Sequence, residues 1–99
     1  MLDISKTVEN GTAIIKLNGI LNMITAPVLD AELKASMDGV NELVLDFAGL
    51  TYLSSAGLRV LMAADEEMEK RGKLKLIHVQ GVVMEVLEIT RLTDILCIE

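Results

Sequence analysis

The start of the chain alternates between apolar and polar side chains in two short runs. The first run spans residues 4–8, and the second spans residues 12–17 with its β-branched pair Ile14 and Ile15. The dipeptide Asn10-Gly11 between them favours a tight hairpin turn, because both residue types tolerate a positive φ angle. The pattern therefore predicts a β-hairpin at the start of the chain.

The next segment shows apolar residues at helical spacing. Thr25 and Pro27 are typical of a helix N-terminus, because Thr can cap free amides and Pro is tolerated in the first turn. The apolar stripe that follows consists of Ala26, Leu29, Leu33 and Met37. Gly39 ends the stripe, so we expect an amphipathic helix that stops there.

The remaining chain alternates apolar strand-like runs with amphipathic ones. Residues 42–47 are typical of a strand buried on both faces. We also expect strands at residues 74–79 and 95–98, and helices from Ser54-Ser55-Ala56 to Arg71, before Gly72, and over residues 82–89. The predicted fold is a single α/β domain over residues 1–99, with a mixed sheet, an N-terminal hairpin and three or more helices packed mainly on one face. We expect Leu43, Val44, Leu45 and Leu76 in the central sheet, with Leu29, Leu33, Leu61 and Met68 packed against it.

Composition and charge narrow the class of protein. The 99 residues are 52% hydrophobic and 24% charged, which is enough apolar material for one small core. The net charge of -6 disfavours direct binding of nucleic acid and of anionic membranes. No apolar run approaches the ~20 residues of a membrane span, and the first residues lack the pattern of a secretion signal. We therefore expect a cytoplasmic protein without membrane insertion.

Few side chains are suited to catalysis or metal binding. One histidine and one cysteine cannot form an ordinary structural zinc site, and the chain has neither a Gly-rich phosphate loop nor a Gly-x-Ser-x-Gly elbow. His78 lies in an apolar strand segment, where a structural role is favoured over a catalytic one. Cys97 lies between two apolar residues, where core packing is favoured. We expect no catalytic residue, no metal, no cofactor and no enzymatic activity.

Two adjacent hydroxyls, Ser54 and Ser55, stand where the second long helix is expected to begin. A serine at the N-cap accepts a hydrogen bond from a backbone amide and contributes ~1 kcal/mol, and one serine is enough for this role. The other serine would be exposed where the free amides and the helix dipole stabilise a phosphate group. Taken alone, the residues favour capping over modification.

The segment from Tyr52 to Leu58 reads Tyr-Leu-Ser-Ser-Ala-Gly-Leu and follows the apolar strand of residues 42–46. Gly19-Ile20-Leu21-Asn22 precedes a helix that contains Thr25. Over nearly its whole length the chain resembles the STAS family, and within it the stand-alone bacterial anti-sigma factor antagonists. Ser54 stands where the family usually has Asp, and Asn22 stands where it often has Asp.

The resemblance implies regulation of sigma-factor-dependent transcription by partner switching. The unmodified antagonist binds an anti-sigma factor, which is also a serine kinase, and displaces the sigma factor. The kinase ends this binding by phosphorylating the serine that corresponds to Ser55, and a phosphatase restores it. The alternative is a STAS accessory or scaffold subunit of a transport or signalling complex without a phosphorylation cycle. An acyl-transfer role for Ser55 would require a base, which the sequence does not identify.

We expect the partner to bind around Ser55. On a helical wheel Leu58 and Met62 lie to one side of the core stripe, which predicts partial exposure; a place on a widened core face is the other interpretation. Met23 and Ile24 form a second apolar patch, for which burial under the first helix is the alternative. The candidate partner-binding residues are Asn22, Met23, Ile24, Ser54, Ser55, Gly57, Leu58 and Met62.

Overall fold

The structure, a computed structural model, describes all of residues 1–99 as a five-stranded sheet and three α-helices. The strands are β1 (Leu2–Glu9), β2 (Thr12–Leu21), β3 (Glu42–Leu53), β4 (Lys73–Ile77) and β5 (Cys97–Ile98). The helices are α1 (Ala26–Ser36), α2 (Ser55–Glu69) and α3 (Gly81–Ile89), and a 3-10 turn (Leu92–Asp94) precedes β5. None of these helices has the length and the apolar character that a membrane-spanning segment requires.

The strands follow one another across the sheet in chain order. β1 and β2 are antiparallel, and all later neighbours are parallel. At the hairpin turn Asn10 has φ 51° and Gly11 has φ 80°, as a two-residue turn with left-handed backbone requires. The prediction of a mixed sheet with an N-terminal hairpin is confirmed.

The core lies on one face of the sheet, beneath all three helices. It is a cluster of 25 buried residues from the strands, the helices and the C-terminal segment. Seven of the eight expected core positions belong to it: Leu29, Leu33, Leu43, Leu45, Leu61, Met68 and Leu76. Val44 is buried at 4% exposure but lies outside the cluster, because alternate residues of a strand point to opposite faces. The prediction that β3 is buried on both faces is confirmed at this position.

β3 is longer than predicted and ends at Leu53 instead of at residue 47. Its pairing with β2 shifts register twice, between Lys16 and Asn18 and between Gly19 and Ile20, and each shift places an extra residue in β3. Such bulges break the alternation of inward and outward side chains. The buried apolar residues of this part therefore recur at every third position, as Phe47, Leu50 and Leu53. This spacing differs from the two-residue alternation typical of a strand, so the sequence pattern did not identify residues 48–53 as part of β3.

The last two strands are shorter than predicted. β4 ends at Ile77, because the next residue, His78, has a left-handed backbone with φ 58° that cannot continue a strand. β5 comprises Cys97 and Ile98 alone, and Ile95, expected in this strand, is 59% exposed after the 3-10 turn.

Candidate functional site

β2 and β3 end side by side, and the two candidate segments follow directly from these ends. Leu21 pairs with Leu53, and the amide of Ser54 donates a hydrogen bond of 2.9 Å to the carbonyl of Leu21. The carboxyl ends of parallel strands meet at one edge of a sheet, where α/β proteins commonly bind their ligands. The loop that begins at Asn22 and the first turn of α2 are therefore neighbours at this edge.

Ser54 and Ser55 have different environments at the start of α2. Ser54 is the N-cap, with an extended backbone, and its hydroxyl accepts a hydrogen bond of 3.4 Å from the amide of Gly57. Ser55 is the first residue of the helix, and its side chain is exposed. The capping role therefore falls to Ser54 and leaves the hydroxyl of Ser55 open to solvent.

Gly57 and Leu58 lie beneath the site, within the core. Leu58 is 9% exposed, so the expectation of partial exposure is wrong. The buried stripe of α2 is wide enough to include it, because a helix that covers a sheet buries more than a narrow seam. A Cβ atom at Gly57 would lie 2.7 Å from Cγ of Leu21 and 2.8 Å from Cδ1 of Leu53. Both residues therefore hold α2 close to the strand ends, instead of presenting side chains at the surface.

Asn22 organises the loop that follows β2. Its Oδ1 accepts hydrogen bonds from the amides of Ile24, at 2.9 Å, and Thr25, at 3.0 Å. The hydroxyl of Thr25 accepts from the amide of Asn22 and donates to the carbonyl of Ile20, both at 2.9 Å. Thr25 occupies the N-cap of α1 but does not cap the helix with its side chain, contrary to expectation, because its hydroxyl is already engaged. An amide oxygen at position 22 makes the bonds a carboxylate would make, without the charge.

Four apolar or aromatic side chains remain exposed around this edge. Met23 and Ile24 are each 74% exposed, as the patch interpretation predicts, and Met62 is 42% exposed. Met62 is seven residues after Ser55, and that spacing places both on one face of α2. Tyr52, which was not among the predicted site residues, is 48% exposed. Its outward direction follows from the bulge before it, for which the sequence offers no clear signal.

A buried carboxylate lies elsewhere on the sheet, beyond the predicted site. Asp46 in β3 accepts hydrogen bonds from Nδ1 of His78, at 2.9 Å, and from the amide of Ala48, at 3.0 Å. Burial acts to raise the pKa of Asp46, but the hydrogen bonds from Ala48 and His78, with the charges of His78 and Lys16, lower the pKa below its ordinary value. His78 is thus a strand-end histidine with a structural partner that is distant in sequence.

The single cysteine is half-buried. Cys97 lies in β5 beside Lys75 of β4 and is not among the buried core residues. The expectation that it packs in the core is therefore only partly met, because a two-residue edge strand cannot enclose its side chains.

The fold is that of a solved bacterial protein of the class suggested by the sequence. The crystal structure of an anti-sigma factor antagonist from Mycobacterium paratuberculosis superposes with a TM-score of 0.90. The match covers 99% of this chain and 85% of that one, at 22% sequence identity. The likeness confirms the fold prediction.

Sequence relatives and a family model agree with the fold. BtrV of Bordetella bronchiseptica, whose name assigns it to the anti-sigma factor antagonists, is 42% identical over 83 residues, covering 82% of this chain and 72% of BtrV. The anti-sigma-F factor antagonist RsfB of Mycobacterium tuberculosis is 29% identical over 70 residues, covering 70% of this chain and 57% of RsfB. The family model described as "Mlab, STAS domain" matches residues 4–97. The chain therefore belongs to the STAS domain family.

Proposed function

We propose that this chain is an anti-sigma factor antagonist whose binding to an anti-sigma factor ends when Ser55 is phosphorylated. The observation that carries the proposal is the exposure of the Ser55 hydroxyl at the first position of α2, where the neighbouring Ser54 already caps the helix. Similarity to BtrV and RsfB supports the class of partner.

The exposed side chains around Ser55 form the surface that would contact the anti-sigma factor. We define this surface, the rim, as Met23, Ile24, Tyr52 and Met62. Exposed apolar and aromatic side chains gain most from burial in a protein interface, and Met adapts its shape to a partner. Among the predicted contact residues, Asn22, Ser54, Gly57 and Leu58 would then act by positioning this edge, because their contacts are internal.

A phosphate at Ser55 would oppose binding through charge and desolvation. Phosphoserine carries roughly −1.5 to −2 charges at pH 7, and the chain already has a net charge of -6. A dianion within a largely apolar interface must be desolvated or expelled. A thousandfold loss of affinity corresponds to only ~4 kcal/mol, which one buried, poorly paired phosphate can supply.

The switch requires no refolding of α2. Gly57 and Leu58 hold the helix start from below, and the cap belongs to Ser54, so the Ser55 side chain stabilises nothing that phosphorylation would remove. A phosphate at the first helical position also faces the positive end of the helix dipole. The modified protein therefore keeps its fold and changes only its surface.

The test uses the serine-kinase anti-sigma factor that co-purifies with the unmodified chain. With this partner and ATP, the wild type should gain one phosphate, and peptide mapping should locate it on Ser55. Ser55→Ala should bind the partner and resist inactivation, and Ser55→Asp should bind more weakly, since one carboxylate carries less charge than phosphate. Thr51→Ala is the control, because it removes a second exposed hydroxyl near the site, one that donates a hydrogen bond of 3.1 Å to the carbonyl of Gly19. Phosphate on Ser54 or Thr51, or equal binding of modified and unmodified protein, would refute the mechanism.

The chain would have no catalytic part in this cycle. Phosphoryl transfer requires groups that hold metal and nucleotide phosphates, and the sequence contains no phosphate-binding motif. ATP and magnesium would act through the kinase, and a separate phosphatase would restore the hydroxyl. Label from radioactive ATP appearing on the purified chain alone would contradict this assignment.

An accessory or scaffold role in a transport or signalling complex is the second candidate. It is favoured by Ser54 and Asn22, which stand where antagonists usually or often have carboxylates. In that case the rim would bind its partner without a phosphorylation cycle. Co-purification of a transporter ATPase in place of a kinase, with Ser55 unmodified in cells, would identify this role.

A further inference from the structure

The two edges of the sheet differ in length and regularity. The edge strand β5 has two residues, whereas β1 pairs with β2 at eight successive positions, from Leu2 opposite Gly19 to Glu9 opposite Thr12, without a bulge. A long, regular edge strand presents a row of backbone N–H and C=O groups that can pair with another strand. β1 is therefore the edge of this fold that can accept one.

The hairpin's hydrogen bonds identify which backbone groups of β1 point outward. The carbonyl of Met1 accepts a hydrogen bond of 3.2 Å from the amide of Ile20, so the odd-numbered residues of β1 face β2 in the antiparallel alternation. The residues that direct their backbone groups to the open edge are Leu2, Ile4, Lys6 and Val8. Their side chains lie on the helix side of the sheet, as the packing of Leu2 and Ile4 against the core demonstrates.

A groove of about 410 Å³ separates this edge from α1. It is lined by Leu2, Asp3, Ile4, Val28, Ala31 and Glu32. Beside the open edge, Val8 is 55% exposed and Val28 is 57% exposed. Apolar side chains thus flank the open backbone groups along the strand and across the groove.

Lys6 and Glu32, which lie near the groove on the helix side of the sheet, have no oppositely charged partner within the chain. The ammonium of Lys6 donates a hydrogen bond of 3.3 Å to the hydroxyl of Ser36, a neutral group. Neither Lys6 nor Glu32 takes part in any salt bridge of the chain. Lys6 and Glu32 are therefore an unmatched cation and an unmatched anion on the helix side of the sheet.

We propose that β1 pairs with β1 of a second copy of this chain, antiparallel about a two-fold axis at Ser5. Ile4 then lies opposite Lys6 of the other copy, and Leu2 lies opposite Val8. The outward groups of both strands form roughly eight main-chain hydrogen bonds. Each Lys6 side chain enters the groove beside Ile4 of the other copy, where Glu32 is its partner, so two equivalent ion pairs form.

Charge and length select this register over its neighbours. If the two-fold axis lay at Lys6 instead of Ser5, Lys6 would lie opposite Lys6 and Asp3 opposite Glu9. Like charges directly opposite each other destabilise a strand pair. If the axis lay at Ile4, Val8 would have no residue opposite it, and fewer residues of the two β1 strands would pair. A symmetric dimer requires a self-complementary patch, and Lys6 with Glu32 supplies one.

The first test measures the mass of the full chain in solution across a wide range of concentrations. We expect it to rise from one chain to two. Lys6→Glu and Glu32→Lys should each raise the dissociation constant roughly tenfold, and the double exchange should restore it. Arg59→Glu, with the same change of charge on α2, should leave it unchanged. A folded chain that stays monomeric throughout would overturn the proposal and make Lys6 a residue that protects the edge.

The second test fixes the register by crosslinking, in a Cys97→Ser background. Ser5 faces its counterpart in a non-hydrogen-bonded pair with Cα atoms about 4.5 Å apart, which suits a disulfide. Ser5→Cys should therefore form a covalent dimer on oxidation. Thr7→Cys is the control, because the two Thr7 positions lie about 14 Å apart in this register. Crosslinking at Thr7 but not at Ser5 would refute the register. Ser55→Ala should dimerise normally, so the dimer and the phosphorylation switch can fail independently.

Discussion

The two halves of β3 differ in how regularly they pair with neighbouring strands and in how deeply they are buried. From Glu42 to Asp46 the strand is paired on both sides, with β2 and β4, and its residues alternate regularly. From Phe47 to Leu53 it pairs with β2 alone, and both bulges interrupt this pairing. The first half is almost entirely buried, whereas the second exposes Thr51 and Tyr52 beside the start of α2. Buried residues are concentrated in the regular half, and the candidate site follows the irregular one.

The difference follows from what each half must do. A central strand gains most from regular pairing and full burial, which leaves no side chain for recognition. Bulges redirect side chains and are frequent next to functional sites. The second half of β3 therefore turns Tyr52 outward while Leu50 and Leu53 still anchor the strand in the core.

The largest expected effect is the difference in unfolding free energy between a substitution in the regular half of β3 and one in the irregular half. Leu45→Ala should lower the free energy of unfolding by about 2 to 5 kcal/mol, because Leu45 is fully buried. Tyr52→Ala should lower it by less than about 1 kcal/mol, yet weaken partner binding. Urea denaturation of both variants measures the contrast. A loss below about 0.5 kcal/mol for Leu45→Ala would contradict the placement of the regular half in the core.

Gly57→Ala tests how closely α2 approaches the end of the irregular half. The new Cβ would lie under 3 Å from Leu21 and Leu53. The resulting overpacking should outweigh the helix propensity gained, for a net loss of roughly 1 to 2 kcal/mol in thermal or urea unfolding. Ala63→Gly, at an exposed position of α2, serves as the control, because it changes only the helix propensity. A stabilised Gly57→Ala variant would show that the helix moves away without cost.

Exchanging the two serines for alanine separates capping from modification. Ser54→Ala should lower the stability by ~1 kcal/mol, since it removes the N-cap of α2. Ser55→Ala should change it by less than about 0.5 kcal/mol, because the side chain is exposed. Thermal melts distinguish the two. An equal loss in both variants would contradict the division of roles at this junction.

The smallest expected effect concerns Asp46 in the regular half. Its pKa is lowered in the folded state from the ordinary value of 3.8, so its contribution to stability is complete well above that pH and is lost as the pH falls through the folded-state pKa. His78→Asn tolerates the left-handed backbone and removes the ring. It should cost below about 1 kcal/mol, because the His78 side chain is 62% exposed.

Urea denaturation between pH 2 and pH 6 checks this prediction. The difference between wild type and His78→Asn should be present at the upper end and shrink towards the lower end, as protonation of Asp46 removes the charge that His78 contacts. His78→Gly, which also accepts a positive φ, is the second variant. A difference that is independent of pH would assign the effect to packing instead of to the carboxylate.

Local sequence patterns were sufficient to predict most of the helices and strands of this protein. The Asn10-Gly11 turn, the apolar stripes of α1 and α2 and the buried run at residues 42–47 each identify an element, because their physical causes act over a few neighbouring residues. Ser54 and Ser55 were recognisable at the helix start for the same reason. The side-chain roles around them were harder to infer, since a helical wheel does not determine how wide the buried stripe is.

What the sequence by itself determined is the set of elements, their order, the one-sided core and the position of Ser55 at a helix start. Only the tertiary structure decided that β3 continues to Leu53, that Leu58 is buried while Tyr52 is exposed, and that Asp46 meets His78. Each of these depends on a neighbour that is distant in the chain: β2 sets the bulges, Leu21 and Leu53 set the depth of α2, and β4 brings His78 to β3. Residue propensity and apolar periodicity reflect interactions between residues that are close in the sequence. The contacts named above depend instead on packing between distant segments.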